Sequence, residues 1–167
     1  YQFNNPPVSH GFMETHVAIV KALPEDRAEI ITSAQSPYTV RNLFSVCFGI
    51  PHSKIRVKIP YVGGGFGGKA GIHLEPLVYC LSKKAGYRPV KLTITREESL
   101  KTMPARQGLY SEFKIGVSNE GKIEALKVNY YWDAGAYADY GVNIGRAAAT
   151  AGAGPYEVPN CHIDSYV

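Results

Sequence analysis

The chain has 167 residues, of which 45% are hydrophobic and 19% are charged, and its formal net charge is +4. This length and composition are typical of a globular domain with a sizeable core. The positive charge is spread along the chain without a block of like charges, which argues against a nucleic-acid-binding arm. No apolar run approaches the roughly 20 residues that span a bilayer, so we expect neither nucleic acid nor a membrane as a partner.

The three cysteines are too far apart for a metal-binding pair or a compact disulfide framework. Cys47 and Cys80 lie in apolar helical patterns, and we expect both in the core. This usage is typical of a reducing compartment, which predicts a cytoplasmic location. The sequence begins at Tyr1 rather than at methionine and ends inside an apparent strand, residues 163–167, so we expect a piece of a larger protein.

In the first third of the chain, the pattern predicts a loop, a hairpin and a helix. Residues 1–15 contain consecutive asparagines and prolines and are predicted as a loop. Residues 15–21 and 28–33 have strand character and are predicted to pair across the turn at residues 24–26. Ser36 and Pro37 then supply an N-cap and a first-turn proline for a helix that ends at Gly49. Its predicted apolar face consists of Val40, Leu43, Phe44 and Cys47.

The remainder predicts further strands and helices around one glycine-rich run. Residues 54–59 alternate as a strand, and the helix after the run has its apolar positions at Leu74, Leu77, Val78 and Leu81. Residues 89–95 are predicted as a strand and 96–101 as a short helical turn, followed by a hairpin of residues 109–117 and 122–132. Residues 134–141 and 147–154 are small, aromatic and aperiodic, which predicts irregular chain in an interior or along a partner. The expected fold class is α+β, with mixed sheet layers and a few helices in a single segment, residues 1–167.

The glycine-rich run, residues 62–69, contains five of the 17 glycines. Such density indicates a backbone that turns sharply or approaches another group closely. The run fits the dinucleotide fingerprint, but the acidic residue expected about 20 positions later is missing. It also fits most of a phosphate-binding P-loop, but Ala70 stands where a hydroxyl should bind magnesium.

A third interpretation is a resemblance to a known family. Residues 62–69, Val-Gly-Gly-Gly-Phe-Gly-Gly-Lys, resemble the molybdopterin-site loop of the xanthine dehydrogenase and aldehyde oxidase family of molybdenum hydroxylases. Other segments of that family are matched in order by residues 10–15, 34–37, 88–98 and 154–160. The resemblance covers nearly the whole chain, and it implies a segment of a larger molybdenum-cofactor-binding domain.

The resemblance implies an oxidoreductase that hydroxylates an aldehyde or an aromatic N-heterocycle with water as oxygen source. It implies molybdenum-molybdopterin as cofactor, with [2Fe-2S] and FAD in partner subunits or domains. The sequence does not decide whether the pterin is in a dinucleotide form. The implied partners are the remainder of the subunit, an iron-sulfur subunit and a flavin subunit. Because the pterin carries the metal, no protein metal ligands are required. The family's catalytic glutamate lies outside this segment, so no catalytic residue is assigned and the segment alone is expected to be inactive.

The resemblance also implies the site residues. Gly65, Phe66 and Gly67 match the part of the family loop where a backbone amide and an aromatic ring lie beside the molybdenum oxo group, although a purely structural turn is the alternative. A bare backbone N–H can donate to an oxo group or an oxyanion without a titratable side chain. Lys69, the last residue of the motif, is expected to be a solvated charge or a helix-start contact.

Three further positions bear on the substrate and on the cofactor. Ala70 replaces a glutamate that binds the purine in xanthine-oxidising members, which argues against purine substrates. Arg146 falls where those members have a substrate-side arginine, and its guanidinium suits a carboxylate or carbonyl. Equally, Arg146 could bind backbone carbonyls or a neighbouring subunit. Val8 stands where many relatives have a glutamine that contacts the apical oxo ligand, so the source of that contact is open.

Two rival functions remain open from the sequence. A nucleotide-binding enzyme would use the loop for phosphates, and nucleotide binding would then depend on Lys69. A non-catalytic assembly module would use the loop only as structure. In that case, replacing Phe66 with alanine would change stability or association and leave the activity of the assembled complex unchanged.

Overall fold

The structure, a computed structural model, describes residues 1–136 and 138–167 and divides into two compact units. One unit is residues 10–103, and the other combines residues 1–9 with residues 104–167. Within these described residues, two four-stranded mixed sheets and four α-helices confirm the predicted α+β class. The elements in chain order are β1 (Gln2–Asn5), β2 (Val17–Leu23), β3 (Arg27–Thr32), α1 (Pro37–Phe48), β4 (Ile55–Lys58), α2 (Glu75–Lys84), β5 (Val90–Thr93), α3 (Arg96–Thr102), β6 (Gly108–Val117), β7 (Ile123–Asp133), α4 (Gly141–Ala151) and β8 (Asn160–Tyr166).

The unit of residues 10–103 is built on a sheet with the strand order β4-β3-β2-β5. The predicted hairpin is confirmed, because β2 and β3 pair antiparallel. α1 then returns the chain so that β4 lies parallel to β3, and β4 leads into the glycine run. α1 begins where predicted, because the Ser36 side chain accepts a hydrogen bond from the Thr39 amide at 3.2 Å, and it ends at Gly49 with φ 64°.

The core of this unit lies between the sheet and the helices α1 and α2. Its largest fully buried members include Val20, Ile30, Phe44, Val78 and Tyr79. The predicted apolar faces are therefore only partly correct, since Leu43, Leu77 and Leu81 are exposed. The prediction that Cys47 and Cys80 are core residues is wrong, because both are exposed. Helical spacing of apolar residues therefore does not by itself show that a position faces the core.

The second unit is a sheet with the strand order β1-β6-β7-β8. The predicted hairpin of β6 and β7 and the predicted last strand are confirmed. The loop prediction for residues 1–15 is wrong at residues 2–5, because β1 pairs antiparallel with β6. The prediction of aperiodic chain over 147–154 is also wrong, because α4 covers most of it and packs on β8 and β7. Tyr137, which lies in the other stretch predicted as irregular, is outside the described residues.

No helix in the described part of the chain combines the length and the apolar character needed to cross a membrane.

Candidate functional site

The glycine run forms a tight turn between β4 and α2. Gly64, Phe66 and Gly67 have φ values of 93°, 53° and 96°, in the left-handed region that favours glycine. Two successive turn hydrogen bonds close it: the Gly68 amide donates to the Gly65 carbonyl at 2.8 Å, and the Ala70 amide donates to the Gly67 carbonyl at 3.2 Å. Phe66 is thus a non-glycine residue held in a strained backbone conformation, which is typical of functional sites.

Close packing against neighbouring segments explains why so many of these residues are glycines. A Cβ atom at Gly65 would lie 2.5 Å from the Oε1 atom of Gln35. A Cβ atom at Gly63 would lie 2.6 Å from the Cβ atom of Glu14. At Gly68 it would meet the His10 ring at 2.7 Å. Three separate positions of the loop therefore exclude any side chain.

Gln35 is the residue that holds the centre of the loop. Its Oε1 atom accepts hydrogen bonds from the Gly67 amide at 2.9 Å and from the Lys69 amide at 3.2 Å. Its own backbone amide donates to the Lys69 carbonyl at 2.8 Å. Because Oε1 is the acceptor in both side-chain bonds, the Nε2 group remains as a donor. Sequence analysis noticed only the turn at residues 34–37 and missed the contact, since nothing local links Gln35 to the glycine run.

Lys69 is not the solvated charge that its sequence context predicted. Its side chain is 0% exposed, and its Nζ atom donates to Glu14 Oε2 at 2.7 Å and lies 4.9 Å from the centre of the Phe12 ring. The same carboxylate oxygen accepts from the Gly63 amide at 3.0 Å. Partial desolvation raises the pKa of Glu14, but the hydrogen bonds from Lys69 and Gly63 and the charge of Lys69 outweigh it, so the pKa lies below its ordinary value of 4.5.

The exposed part of the loop is the Phe66 side chain, which is 75% exposed. Gly65 is buried, whereas Gly67 and Ala70 are half-buried. The turn therefore brings together four of the five predicted site residues. The fifth, Arg146, belongs to the other unit, where it lies exposed on α4.

Two features of the structure oppose the nucleotide interpretations of the loop. In both nucleotide motifs the glycines open directly into a helix whose N-terminus binds phosphate. Here α2 begins only at Glu75, and the buried Glu75 side chain accepts from the His73 amide at 2.9 Å, so an acceptor of this chain already occupies that N-terminus. Lys69, which would have to reach the phosphates, is buried in its ion pair with Glu14.

The residues of the loop fit a cofactor that brings its own metal. A bare glycine backbone, the Gln35 Nε2 donor and an exposed aromatic ring can contact an oxo group or a flat ligand without coordinating a metal. Among the described residues, no group of three His, Cys, Asp or Glu side chains could hold a metal ion. Val8, where a glutamine was expected, is exposed and pairs through its backbone with Arg106.

Comparison with known proteins identifies the family. The model of the molybdopterin cofactor-binding domain matches residues 1–167. The xanthine dehydrogenase molybdenum-binding subunit of Escherichia coli O157:H7 is 30% identical, with 95% of this chain and 21% of the relative covered. The nicotinate dehydrogenase large molybdopterin subunit of Eubacterium barkeri is 32% identical, with 95% and 37% covered.

A solved structure agrees with these relatives. Quinoline 2-oxidoreductase from Pseudomonas putida 86 superposes with a TM-score of 0.79 at 28% identity, over 98% of this chain and 21% of that one. The chain thus spans from about a fifth to somewhat over a third of the length of these relatives. Because the family model covers all 167 residues, this chain belongs to the molybdopterin cofactor-binding domain family of the xanthine dehydrogenase and aldehyde oxidase type oxidoreductases.

Proposed function

We propose that the loop of residues 62–69 forms the cofactor-binding site at the molybdenum end of the pterin, and that Gly65, Phe66 and Gly67 are the central residues of this site. The observation that carries this proposal is the geometry of the turn. Five of its eight residues are glycines, Gln35 anchors it, and the Phe66 ring is exposed while the Phe66 backbone is strained. Strain of this kind persists only where the surrounding structure enforces it.

The hydrogen bonds of the loop divide the roles among these residues. The Gly67 amide already donates to Gln35 Oε1 at 2.9 Å, so its part is to orient Gln35. We assign the donors toward the cofactor to the Phe66 amide and to the Gln35 Nε2 group. Gln35 would then supply the contact for which Val8 is unsuited. Gly65 allows Gln35 to approach, since a Cβ atom there would overlap its side chain.

We propose that the whole protein hydroxylates an aldehyde or an aromatic N-heterocycle with oxygen from water. When bound, the molybdenum cofactor supplies the two-electron oxidation, and the electrons pass to [2Fe-2S] and FAD centres in partner subunits or domains. N-heterocyclic substrates are supported by two relatives, one named for nicotinate and one for quinoline. The segment by itself is expected to be inactive, because the family's catalytic glutamate lies outside it.

Two residues are proposed to act on the substrate side. Ala70 is half-buried next to the turn, and its methyl group offers no hydrogen-bonding group to a purine. Replacing Ala70 with glutamate is expected to raise turnover of a purine relative to a simple N-heterocycle, measured by kcat/KM for both. Arg146 is exposed on α4 and is proposed to pair with a carboxylate or carbonyl of the substrate.

The test uses the complete protein purified with its natural partners. Near-stoichiometric molybdenum and oxidised-pterin fluorescence are expected, together with transfer of ¹⁸O from labelled water into the hydroxylated product. Phe66→Ala is expected to lower kcat by at least about tenfold, because the aromatic contact beside the reacting centre is lost. Tyr87→Ala is the matched control, since Tyr87 is also an exposed aromatic residue with a positive φ, 64°, and belongs to the same unit but lies outside the loop.

The outcomes separate the candidate functions. Absence of molybdenum from the intact complex would refute the proposal. Normal activity of Phe66→Ala with an altered stability or subunit association would instead favour the assembly module, in which the loop serves only as structure.

A further inference from the structure

We propose that Glu14 and Lys69 are positioning residues, which as a buried pair fix the loop of residues 62–69 in the conformation that presents Phe66 to the cofactor. This inference rests on the function proposed above for the loop. Neither side chain is assigned a contact with cofactor or substrate. Their effect is transmitted through Gly63 and Gln35.

The Glu14 carboxylate joins the two ends of the loop. Its Oε2 atom accepts from the Gly63 amide at 3.0 Å at one end and from Lys69 Nζ at 2.7 Å at the other. The Glu14 amide also donates to the Gly63 carbonyl at 3.2 Å, so Gly63 is held on both sides. A single residue outside the loop therefore sets the distance between its two ends.

Lys69 transmits this constraint to the centre of the turn. Its backbone amide donates to Gln35 Oε1, the same oxygen that accepts from the Gly67 amide. A shift of Lys69 would therefore displace Gln35 and the amide that follows Phe66. Because the Phe66 backbone lies at φ 53°, it relaxes once these restraints weaken.

Glu14 is itself anchored to a rigid element. The Arg96 guanidinium, in the first residue of α3, donates to the carbonyls of Phe12 and Met13. α3 begins at a complete capping box formed by Thr95 and Glu98. The restraint therefore runs from the start of α3 through residues 12–14 to the loop.

The burial of Lys69 makes the pair interdependent. Its side chain is 0% exposed, whereas the Glu14 side chain is 34% exposed, so removing the carboxylate would leave a buried ammonium beside the Phe12 ring without its ion-pair partner. Such a charge is unfavourable inside a protein and tends either to lose its proton or to move to solvent. Either response would open the loop.

Three variants of the full-length protein test the proposal: Lys69→Met, the neutral double variant Glu14→Gln with Lys69→Met, and Lys83→Met as control. Lys83 forms an exposed ion pair with Asp26 at 3.0 Å in the same unit. For each, amide hydrogen exchange of residues 62–69, the melting temperature and the Mo(V) electron paramagnetic resonance spectrum are recorded. Exchange is measurable whether or not cofactor is bound, so it does not depend on activity.

In Lys69→Met, we expect hydrogen exchange of the loop amides to accelerate at least about tenfold, while the exchange rates of the β2 and β3 amides stay unchanged. We also expect the Mo(V) electron paramagnetic resonance spectrum to differ from that of the wild type. The double variant should melt close to Lys69→Met, because both have lost the buried ammonium and the Glu14 side chain is 34% exposed, and it should retain fast loop exchange and the altered spectrum. Lys83→Met should match the wild type in all three measurements. If Lys69→Met does not fold, the double variant decides the question.

Two results would overturn the proposal: unchanged loop exchange in Lys69→Met, or a double variant in which exchange and spectrum both return to wild type. The second result would show that the pair serves only charge burial. Absence of molybdenum from the wild-type protein would instead refute the proposed function, while the exchange data would still decide whether the pair fixes the loop.

Discussion

Replacing Gly65 with alanine is expected to destabilise the protein through Gln35. The new Cβ atom would lie 2.5 Å from Gln35 Oε1, 2.8 Å from Cδ and 2.9 Å from Cγ, so the side chain must leave its position. It then loses its hydrogen bonds to the amides of Gly67 and Lys69. At about 1 kcal/mol for each neutral hydrogen bond, the expected loss is about 2 kcal/mol, roughly a thirtyfold change in the folding equilibrium.

Urea unfolding followed by circular dichroism, with a double-mutant cycle, measures this effect. In a Gln35→Ala background the side chain that clashes is absent, so Gly65→Ala should cost little and the coupling energy should approach about 2 kcal/mol. The only tryptophan, Trp132, belongs to the other unit, so its fluorescence serves as an internal control. Gly116→Ala is the matched control, because a Cβ atom there meets Ala125 at an ordinary 3.6 Å.

A coupling energy near zero would refute the argument, because Gly65→Ala would then act without Gln35. An equal loss in Gly116→Ala would refute it as well, since the effect would then be general to glycine replacement.

Three further predictions follow from other contacts. The folded-state pKa of Glu14 lies below 4.5, so its ionised carboxylate stabilises the protein above that pH. This stabilisation is lost as the pH falls through the folded-state pKa. The melting temperature of Glu14→Gln should therefore fall less below pH 4.5 than that of the wild type. Ser82, fully buried in α2, accepts from the Ala22 amide at 2.9 Å and donates to the Arg88 carbonyl at 2.6 Å, so Ser82→Ala should cost about 2 kcal/mol in urea unfolding. Arg146→Met in the complete enzyme should raise KM about tenfold for a carboxylate-bearing heterocycle and leave KM for a neutral one unchanged; equal KM values in variant and wild type would remove Arg146 from the substrate site.

Much of the fold could be predicted because its signals are local. The hairpin of β2 and β3 follows from two alternating runs around a short turn, and α1 begins at Ser36 and ends at Gly49 as its caps indicate. The glycine run was recognisable because glycine density and its flanking strand and helix lie within one short stretch. Family membership could also be predicted, because the short family motifs occur in the same order along this chain.

Elements that lack such local signals could not be predicted. β1 consists of exposed residues and is a strand because β6, more than 100 residues later, pairs with it, as in the pair Gln2 and Glu112. α4 lacks the usual signals of a helix end, because its N-cap residue Tyr140 makes no side-chain capping hydrogen bond and neither its first turn nor its last turn carries the expected charge. Gly145 within α4 allows a close approach to β8, since a Cβ atom there would meet Val167 and would lie 3.4 Å from the Ser165 hydroxyl oxygen.

The sequence by itself determined the family, the class of fold and the position of the loop, because each depends on residues that are neighbours in the chain. Only the tertiary structure decided what holds the loop. It paired Lys69 with Glu14 and placed Gln35 against Gly67, across separations of 55 and 32 residues. A lysine in a sequence carries no sign of whether water or a carboxylate will surround it. The environment of the lysine is decided when distant segments pack and exclude solvent. In such a place an unpaired charge is unfavourable, whereas a paired charge becomes a fixed part of the structure.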